Sequence, residues 1–164
     1  MIFKKALKLE SRHRAVSFHD ITEAVKDTVR ESGVTDGIVV VYSHHTTCSV
    51  ITQECAFDTS MTGLETLQQD LVNAFEKWIP TCRYEGMYLH PGQKALDFAE
   101  EHGEDNFGCH NTDAHLRSSI IGRNVTIVID NGVADLGEFG RIHFIDFDQT
   151  RGRTRTAQVM VIGE

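Results

Sequence analysis

The sequence has little proline and no long apolar run, and each shortage excludes a class of protein. Only two of the 164 residues are proline, so no proline-rich linker separates two domains. No run of about 18 apolar residues occurs, which leaves no segment for a membrane-spanning helix. The start, Met1 to Lys5, lacks the apolar stretch and small-residue cleavage site of a secretory signal. We therefore expect a single domain over residues 1–164 with no contact to a membrane.

Cysteine is also scarce, and charge of one sign is in excess. The four cysteines are Cys48, Cys55, Cys82 and Cys109. They show no C-x-x-C spacing, and without secretion cues we expect reduced thiols in a cytoplasmic protein. The net charge of −8 disfavours nucleic acid and anionic membranes as partners. Arginines nevertheless cluster near the C-terminal end, so a local site for an anion remains open.

Hydrophobic periodicity predicts strands near both ends of the chain and helices between them. Helical stripes cover residues 21–29, 64–78, 94–102 and 113–121. Strand patterns cover residues 2–9, 15–18, 38–51, 125–129, 142–148 and 156–162, with a strand end and turn at 87–92. The acidic stretch that runs to Cys109 is expected to be a loop. This order favours an α+β fold with a largely antiparallel sheet and two to four helices.

The stretch from Ile38 to Ile51 is predicted to be one strand that is apolar at both ends and polar in the middle. Because side chains alternate on a strand, one face would carry His45, Thr47 and Ser49. The other face would carry His44, Thr46 and Cys48. Two adjacent histidines cannot both face one core, so at least one faces a cleft, solvent or a neighbouring subunit. The polar middle predicts a functional site or a buried polar network.

Most of the nine histidines lie beyond the first fifth of the chain: His44, His45, His90, His102, His110, His115 and His143. They include no HExxH motif and no pair at i, i+4, so a metal site would have to combine separate segments. Neutral imidazole is the commonest metal ligand, and three of them leave a position open for water or substrate. Satisfied structural histidines are the alternative.

Two further segments suggest chemistry. Glu54 follows the polar strand and would serve as a general base or a ligand; an exposed loop carboxylate is the alternative. The segment from Asn131 to Gly140 is rich in glycine but matches neither GxGxxG nor a Walker loop. A hairpin connection is therefore expected there.

The arginines Arg151, Arg153 and Arg155 would project from one face if the segment is extended. Their mutual repulsion requires carboxylates, such as Asp146 and Asp148, or an anionic ligand. The planar fork of arginine suits phosphate. The alternative is that the arginines protect an exposed strand edge.

Three ordered segments together resemble one family. Residues His45-Thr46-Thr47-Cys48-Ser49-Val50-Ile51-Thr52-Gln53-Glu54 resemble its histidine-Thr-Thr/Ser…Glu segment. Asn111-Thr112-Asp113-Ala114-His115-Leu116, followed by Ile121-Gly122, resembles its Asn…Ala-His-Leu…Gly segment. Asp130-Asn131-Gly132 through Leu136-Gly137, then Phe147-Asp148 and the arginines, resembles its C-terminal block. On these motifs the chain resembles the YjbQ-like proteins, also called the secondary thiamine-phosphate synthase family, over nearly its whole length.

The resemblance implies a trimeric α+β fold with a site near subunit boundaries. It also implies a weak thiamine-phosphate synthase activity, which joins a pyrimidine diphosphate to a thiazole phosphate. By position, the family's histidines would be His45, His90 and His115, and its polar residues would be Glu54, Asn111 and Arg151. The chain departs from the family at Leu136–Gly140, where Leu-Gly-Thr-Trp-Gln is usual, and in an extra stretch from about Pro91 to Cys109 that would reshape a lid.

These observations lead to an enzyme hypothesis: a metal-dependent enzyme that acts on a phosphorylated small molecule. The divalent metal, expected to be zinc, would be bound by His45, His90 and His115. Catalysis would use His45 and His115 as acid–base groups, with Glu54 orienting water or a histidine. The phosphate would be held by Asn111, Arg151 and Arg153. The rival hypotheses are a non-catalytic trimer that binds a metal or a phosphorylated metabolite, and a purely structural trimer.

Overall fold

The structure is a computed structural model that describes residues 1–104 and 110–164. Its strands are β1 (Ile2–Glu10), β2 (Ser17–Asp20), β3 (Gly37–Ser43), β4 (Cys48–Glu54), β5 (Asn124–Asp130), β6 (Val133–Ala134), β7 (Gly140–Asp146) and β8 (Thr154–Gly163). Its helices are α1 (Thr22–Ser32), α2 (Thr66–Trp78), α3 (Gln93–Glu101) and α4 (Thr112–Ile121). The last part of the predicted acidic loop, residues 105–109, lies outside the described residues.

The strands form two antiparallel sheets, which confirms the predicted α+β class. One sheet has the order β1-β8-β3-β5-β6 and the other has the order β2-β7-β4. One apolar core combines Val39 and Val161 of the first sheet with Val50 and Phe144 of the second, so it lies between the two sheets. This core fixes how the sheets face each other, and α1 adds its stripe from Ile21 to it.

A second core covers the other face of the three-stranded sheet. Ile145 of β7 and Phe147 just beyond it pack there with Phe75 of α2 and Ala114 of α4. Since Ile142 and Phe144 belong to the first core, β7 alternates between two apolar surroundings along its length. A strand that is buried on both faces reads as a nearly continuous apolar run, as residues 142–147 do.

The predicted single strand over residues 38–51 is wrong. The chain forms β3 in the five-stranded sheet, leaves it after Ser43, and enters the three-stranded sheet at Cys48 as β4. Residues 44–47 form a turn in which the Cys48 amide donates to the His45 carbonyl at 3.1 Å. The predicted alternation of faces therefore does not hold for His44–Thr47, which form the corner between the sheets.

Two other local predictions have opposite outcomes. Among the described residues, no strand ends at residues 87–90; residues 87–89 form a bend. The hairpin predicted after Asp130 is confirmed, because β5 pairs with β6 across Asn131 and Gly132. Their φ angles of 49° and 77° are the positive values that a two-residue hairpin turn requires.

Within the described residues, Cys48, Cys55 and Cys82 are free thiols, as expected, and Cys109 lies outside them. None of the helices in this part of the chain combines the length and the apolar character needed to cross a bilayer. The cytoplasmic location and the homotrimer remain predictions.

Candidate functional site

A polar pocket of about 350 Å³ opens beside the corner between β3 and β4. Four parts of the chain meet there: the corner itself, residues 90–104 with α3, the first turn of α4, and the segment that leads into β8. Its wall includes the side chains of His44, His45, His90, His115, Arg151 and Arg153. The sequence-predicted histidines and the arginines thus surround one cavity, which we call the histidine–arginine pocket.

A buried ion pair forms the base of this pocket. Arg155 of β8, only 4% exposed, donates from Nε to Asp146 Oδ2 at 2.6 Å. The same guanidinium donates to Thr47 Oγ1 at 3.2 Å, and Thr47 Oγ1 donates to Asp146 Oδ1 at 3.3 Å. Because these groups are removed from water, each depends on its partner for compensation. The network fixes the corner residues against both sheets.

Asp148 extends the buried network towards α4. It lies 3.7 Å from the Arg155 guanidinium and accepts a hydrogen bond of 3.0 Å from Asn111 Nδ2. Asn111 is at the N-cap position of α4 but its side chain makes no capping hydrogen bond. Its amide holds Asp148 instead, so this residue ties α4 to the pocket.

His45 is oriented by the backbone of the neighbouring strand. The amide of Thr156 donates to His45 Nε2 at 3.0 Å. Burial lowers the pKa of His45, and the positive charge of Arg155 lowers it further. In the neutral ring, a lone pair on Nε2 requires the proton to be on Nδ1. His45 therefore offers an N–H donor at its other nitrogen.

His115 has the complementary role. Burial lowers its pKa, the nearby His90 adds to this, and a hydrogen bond with the Thr46 backbone acts in the opposite direction. The rings of His90 and His115 meet edge to face with centroids 5.6 Å apart. In the neutral ring one nitrogen carries a lone pair, so His115 can act as a base.

Arg151 and Arg153 converge on a single carboxylate, that of Glu104. The two distances to its oxygens are 3.0 and 3.4 Å. The predicted carboxylate partners, Asp146 and Asp148, are paired with Arg155 and not with these two residues. The Nε of Arg151 is buried and has no hydrogen-bond partner among residues 1–104 and 110–164. In this corner of the pocket, each oxygen of one carboxylate thus contacts a different guanidinium.

The donor set does not fit the predicted three-histidine zinc site. Across residues 1–104 and 110–164, no three histidine, cysteine, aspartate or glutamate side chains are placed to share a metal ion. The His45 nitrogen that carries the lone pair is already used by the Thr156 amide. The zinc ion stays a prediction, and elemental analysis tests it.

Glu54 does not reach the histidines within one chain. β4 rises about 3.3 Å per residue, so its last residue lies roughly 20 Å from Cys48 at its start. Glu54 instead lines a separate open cavity of about 710 Å³ together with Phe139 and Gly140. The segment that departs from the family pattern, Leu136–Gly140, borders this second cavity and not the histidine–arginine pocket.

Sequence reasoning missed Glu104 and named Asp148 and Arg155 only as a possible ion pair. Glu104 was hidden in an acidic stretch that was expected to be loop. Its signal is Gly103 just before it, because a glycine after a helical pattern fixes the direction of the next residue. Arg155 could have been singled out, since it shares the strand alternation of Ala157, Val159 and Val161, which are buried on one face of β8.

Comparison with known proteins gives a consistent result over the whole chain. Residues 5–164 match the family described as UPF0047 protein YjbQ-like. The UPF0047 protein MJ1081 of Methanocaldococcus jannaschii is 32% identical over 164 residues, which are 100% of this chain and 96% of that protein. The UPF0047 protein YugU of Bacillus subtilis is 28% identical over 144 residues, 88% of each.

Solved structures agree with the fold. An uncharacterized conserved protein of the YjbQ/UPF0047 family from Clostridium acetobutylicum has a TM-score of 0.71 at 27% identity, over 96% of this chain and 99% of that one. Hypothetical protein APE1520 from Aeropyrum pernix has a TM-score of 0.73 at 24% identity, over 98% of each chain.

Proposed function

The chain belongs to the UPF0047 YjbQ-like family, and from its pocket we propose that it binds a phosphorylated small molecule and acts on it by acid–base chemistry. One observation carries this proposal. Two arginines that share a carboxylate and two histidines with lowered pKa values line one cavity of about 350 Å³. Guanidinium groups can bind a phosphate, and neutral imidazoles in the same cavity can exchange protons with the atoms bonded to it.

The phosphate would lie at Arg151 and Arg153. Their side chains are 26% and 33% exposed, so they are shielded enough from water to bind an anion firmly and open enough to receive it. A carboxylate already lies between them, which supports an oxyanion at that place. The unpartnered Nε of Arg151 supplies a further donor.

The acid–base groups would be His45 and His115. The proton on His45 Nδ1 would donate to an oxygen of the ligand, while the lone pair of His115 would accept a proton. Burial lowers both pKa values, which keeps the rings neutral near pH 7, as these roles require.

The reaction class would be transfer or hydrolysis at a phosphate ester, where negative charge on the leaving group needs cationic stabilisation. Thiamine-phosphate synthesis is the specific member of this class that the family resemblance suggests. It joins a pyrimidine diphosphate to a thiazole phosphate, and the diphosphate that leaves would be held by the arginines. No step of this proposal requires zinc.

Calorimetric titration with inorganic phosphate and with diphosphate tests the binding step. We expect Arg153→Ala to weaken the affinity about tenfold, because a hydrogen bond to a charged group is lost. Arg30→Ala is the matched control, since Arg30 is also an ion-paired arginine but lies on α1. Equal affinities of both variants and the wild type would contradict a phosphate site at Arg153.

One observation favours non-catalytic binding as the second candidate. Among the described residues, the carboxylates that line the pocket are Glu104 and Asp148, and both are paired with arginines, so this part of the lining offers no free carboxylate as a base. His115→Gln distinguishes the two. An enzyme would lose product formation from the pyrimidine and thiazole substrates and keep its phosphate affinity. A wild-type protein that binds phosphate without any turnover would support the binding function.

A further inference from the structure

We propose that Glu104 is an internal competitor for the anion that this pocket binds, and that a phosphorylated ligand must displace its carboxylate from Arg151 and Arg153. The inference rests on the proposed function, since it concerns the same arginine pair. It adds a residue that sets affinity and ligand class.

The contacts of Glu104 are those expected of a bound anion. Its Oε2 accepts from Arg151 at 3.0 Å and its Oε1 accepts from Arg153 at 3.4 Å. Each carboxylate oxygen thus meets a different guanidinium, and Glu104 borders the same cavity as the two arginines. A phosphate that bridged the two arginines would need the space that this carboxylate fills.

The backbone presents Glu104 to the arginines by a defined helix ending. Beyond α3, the Gly103 amide donates to the Glu100 carbonyl at 3.0 Å, and the Glu104 amide donates to the Ala99 carbonyl at 2.8 Å. With Gly103 at φ 67°, these two bonds form a Schellman motif. Ala99 is buried and Ala95 of the same helix lines the pocket. The position of Glu104 is therefore fixed from α3.

The charges explain why the carboxylate has to leave. Arg155 is balanced by Asp146 and Asp148, which are buried and cannot move into water. Arg151 and Arg153 have Glu104 as their carboxylate, and its side chain is 40% exposed. An exposed ion pair contributes little stability, so Glu104 can turn into solvent. Once it does, the ligand faces two guanidiniums that have no other carboxylate partner in the described part of the chain.

The exchange selects for ligand charge. A ligand with a carboxylate would displace the Glu104 carboxylate and form equivalent contacts with the two arginines. The net free energy of binding would therefore be small. A phosphate or diphosphate group carries more charge and more acceptor oxygens for the two forks. The pocket would thus favour phosphate esters and diphosphates over carboxylic acids.

Glu104→Gln tests this directly, with Glu101→Gln as the matched control. Both variants remove one negative charge near the end of α3, but Glu101 forms no ion pair with an arginine among the described residues, whereas Glu104 pairs with two. Titration with inorganic phosphate should give a dissociation constant about fivefold lower for Glu104→Gln than for the wild type. The constant for Glu101→Gln should stay within about twofold of the wild type. Equal melting temperatures would show that both variants are folded.

Each result has a distinct meaning. If phosphate binding depends on Arg153 but Glu104→Gln binds no tighter, Glu104 only positions the arginines, and the inference is overturned while the proposed function stands. If neither the wild type nor Glu104→Gln binds phosphate, both fail. Binding that is detectable in Glu104→Gln alone supports the competition. Equal tightening in both variants reveals a general charge effect and rejects the specific contact.

Discussion

Arg155 connects the stability of the fold with the shape of the site. Its guanidinium reaches Asp146, Asp148 and Thr47, and all of these groups are buried. Loss of the guanidinium would leave two carboxylates out of water with no cation, which is the most costly way to break such a network. The corner between β3 and β4 would lose its anchor at the same time.

We therefore expect Arg155→Met to lower the free energy of unfolding by about 3–5 kcal/mol. Urea unfolding followed by circular dichroism measures the change. Arg153→Met is the control, because its ion pair with Glu104 is partly exposed, and such a pair contributes less than about 1 kcal/mol. Similar losses in the two variants would show that burial of the Arg155 network does not contribute as we argue.

His143 links single-residue chemistry to pH. It is fully buried on β7, and neither ring nitrogen has a hydrogen-bond partner among the residues that the structure describes. Burial lowers its pKa from the ordinary value of 6.5, with Asp20 and Glu65 acting against this and Arg141 acting with it. The unfolded chain thus takes up a proton at a higher pH than the folded chain does. Stability from this group is complete above 6.5 and decreases as the pH falls towards the folded-state pKa.

The variant His143→Leu should lose less stability than the wild type between about pH 7.5 and about pH 5.5, because a leucine takes up no proton in either the folded or the unfolded state. These two pH values lie about one unit above and below the ordinary histidine pKa. The slope that remains would come from His19, His45 and His115, whose pKa values burial also lowers. Unfolding free energies at the two pH values measure the effect. The exposed His13 provides the control His13→Leu. If His143→Leu loses as much stability between the two pH values as the wild type does, proton uptake by His143 does not contribute to the pH dependence.

At the scale of elements, the pattern of apolar residues predicted most helices and strands but not where the chain changes sheets. The stripe of Ile21, Val25 and Val29 predicted α1, which Gly33 ends with φ 70°. The stretch from Ile38 to Ile51 shows why the pattern does not predict the change from one sheet to the other. Both halves are apolar because both contribute to the core between the sheets. Their periodicity carries no information about the corner, which depends on tertiary hydrogen bonds of Thr47.

For the candidate site too, the sequence predicted many of the residues that take part but not the contacts between them. Residue types identified the histidines and arginines, and three family-like segments indicated that they belong together. The sequence does not reveal which nitrogen of His45 is used, because this depends on the Thr156 amide of a strand more than a hundred residues away. The sequence also does not reveal which arginine pairs with which carboxylate. Arg155 pairs with Asp146 and Asp148, whereas Arg151 pairs with Glu104, because of where the fold places each side chain.

Helix α2 is started by a reciprocal cap that its sequence pattern did not reveal. The Glu65 side chain accepts from the backbone of Gln68, and the Gln68 side chain accepts from the Glu65 amide at 3.1 Å. The Glu65 carboxylate also accepts from the Ala56 amide at 2.9 Å. One side chain thus satisfies the helix start and holds the loop after β4.

Glu65→Ala should lower the free energy of unfolding by about 1–2 kcal/mol, the usual effect of losing a cap. Asp70→Ala is a suitable control, because Asp70 is an exposed acidic residue on the same helix. Chemical denaturation of both variants provides the comparison. A change for Glu65→Ala that is no larger than that for Asp70→Ala would contradict the capping role.

At the scale of the whole molecule, one face of the five-stranded sheet carries a row of exposed apolar side chains that no described part of the chain covers. Register places Ile2, Ile162, Ile38 and Val128 side by side across four neighbouring strands. All four side chains are exposed, from 36% for Ile38 to 65% for Ile2. The residues on the opposite face of these strands belong to the core between the sheets. The exposed row therefore cannot be buried within the same chain. A contiguous apolar row of this kind is typical of a surface that another protein covers.

The homotrimer expected from the family resemblance would use such a face. We predict that light scattering coupled to size-exclusion chromatography gives a mass of about three times the 18.4 kDa of one chain. Val128→Lys should shift the protein towards monomers, since it places a charge within a surface that association would remove from water. Ile120→Lys is the control, because Ile120 is similarly exposed but lies on α4. A monomeric wild type would reject the trimer, and a trimer that tolerates Val128→Lys as well as Ile120→Lys would place its interface on another face.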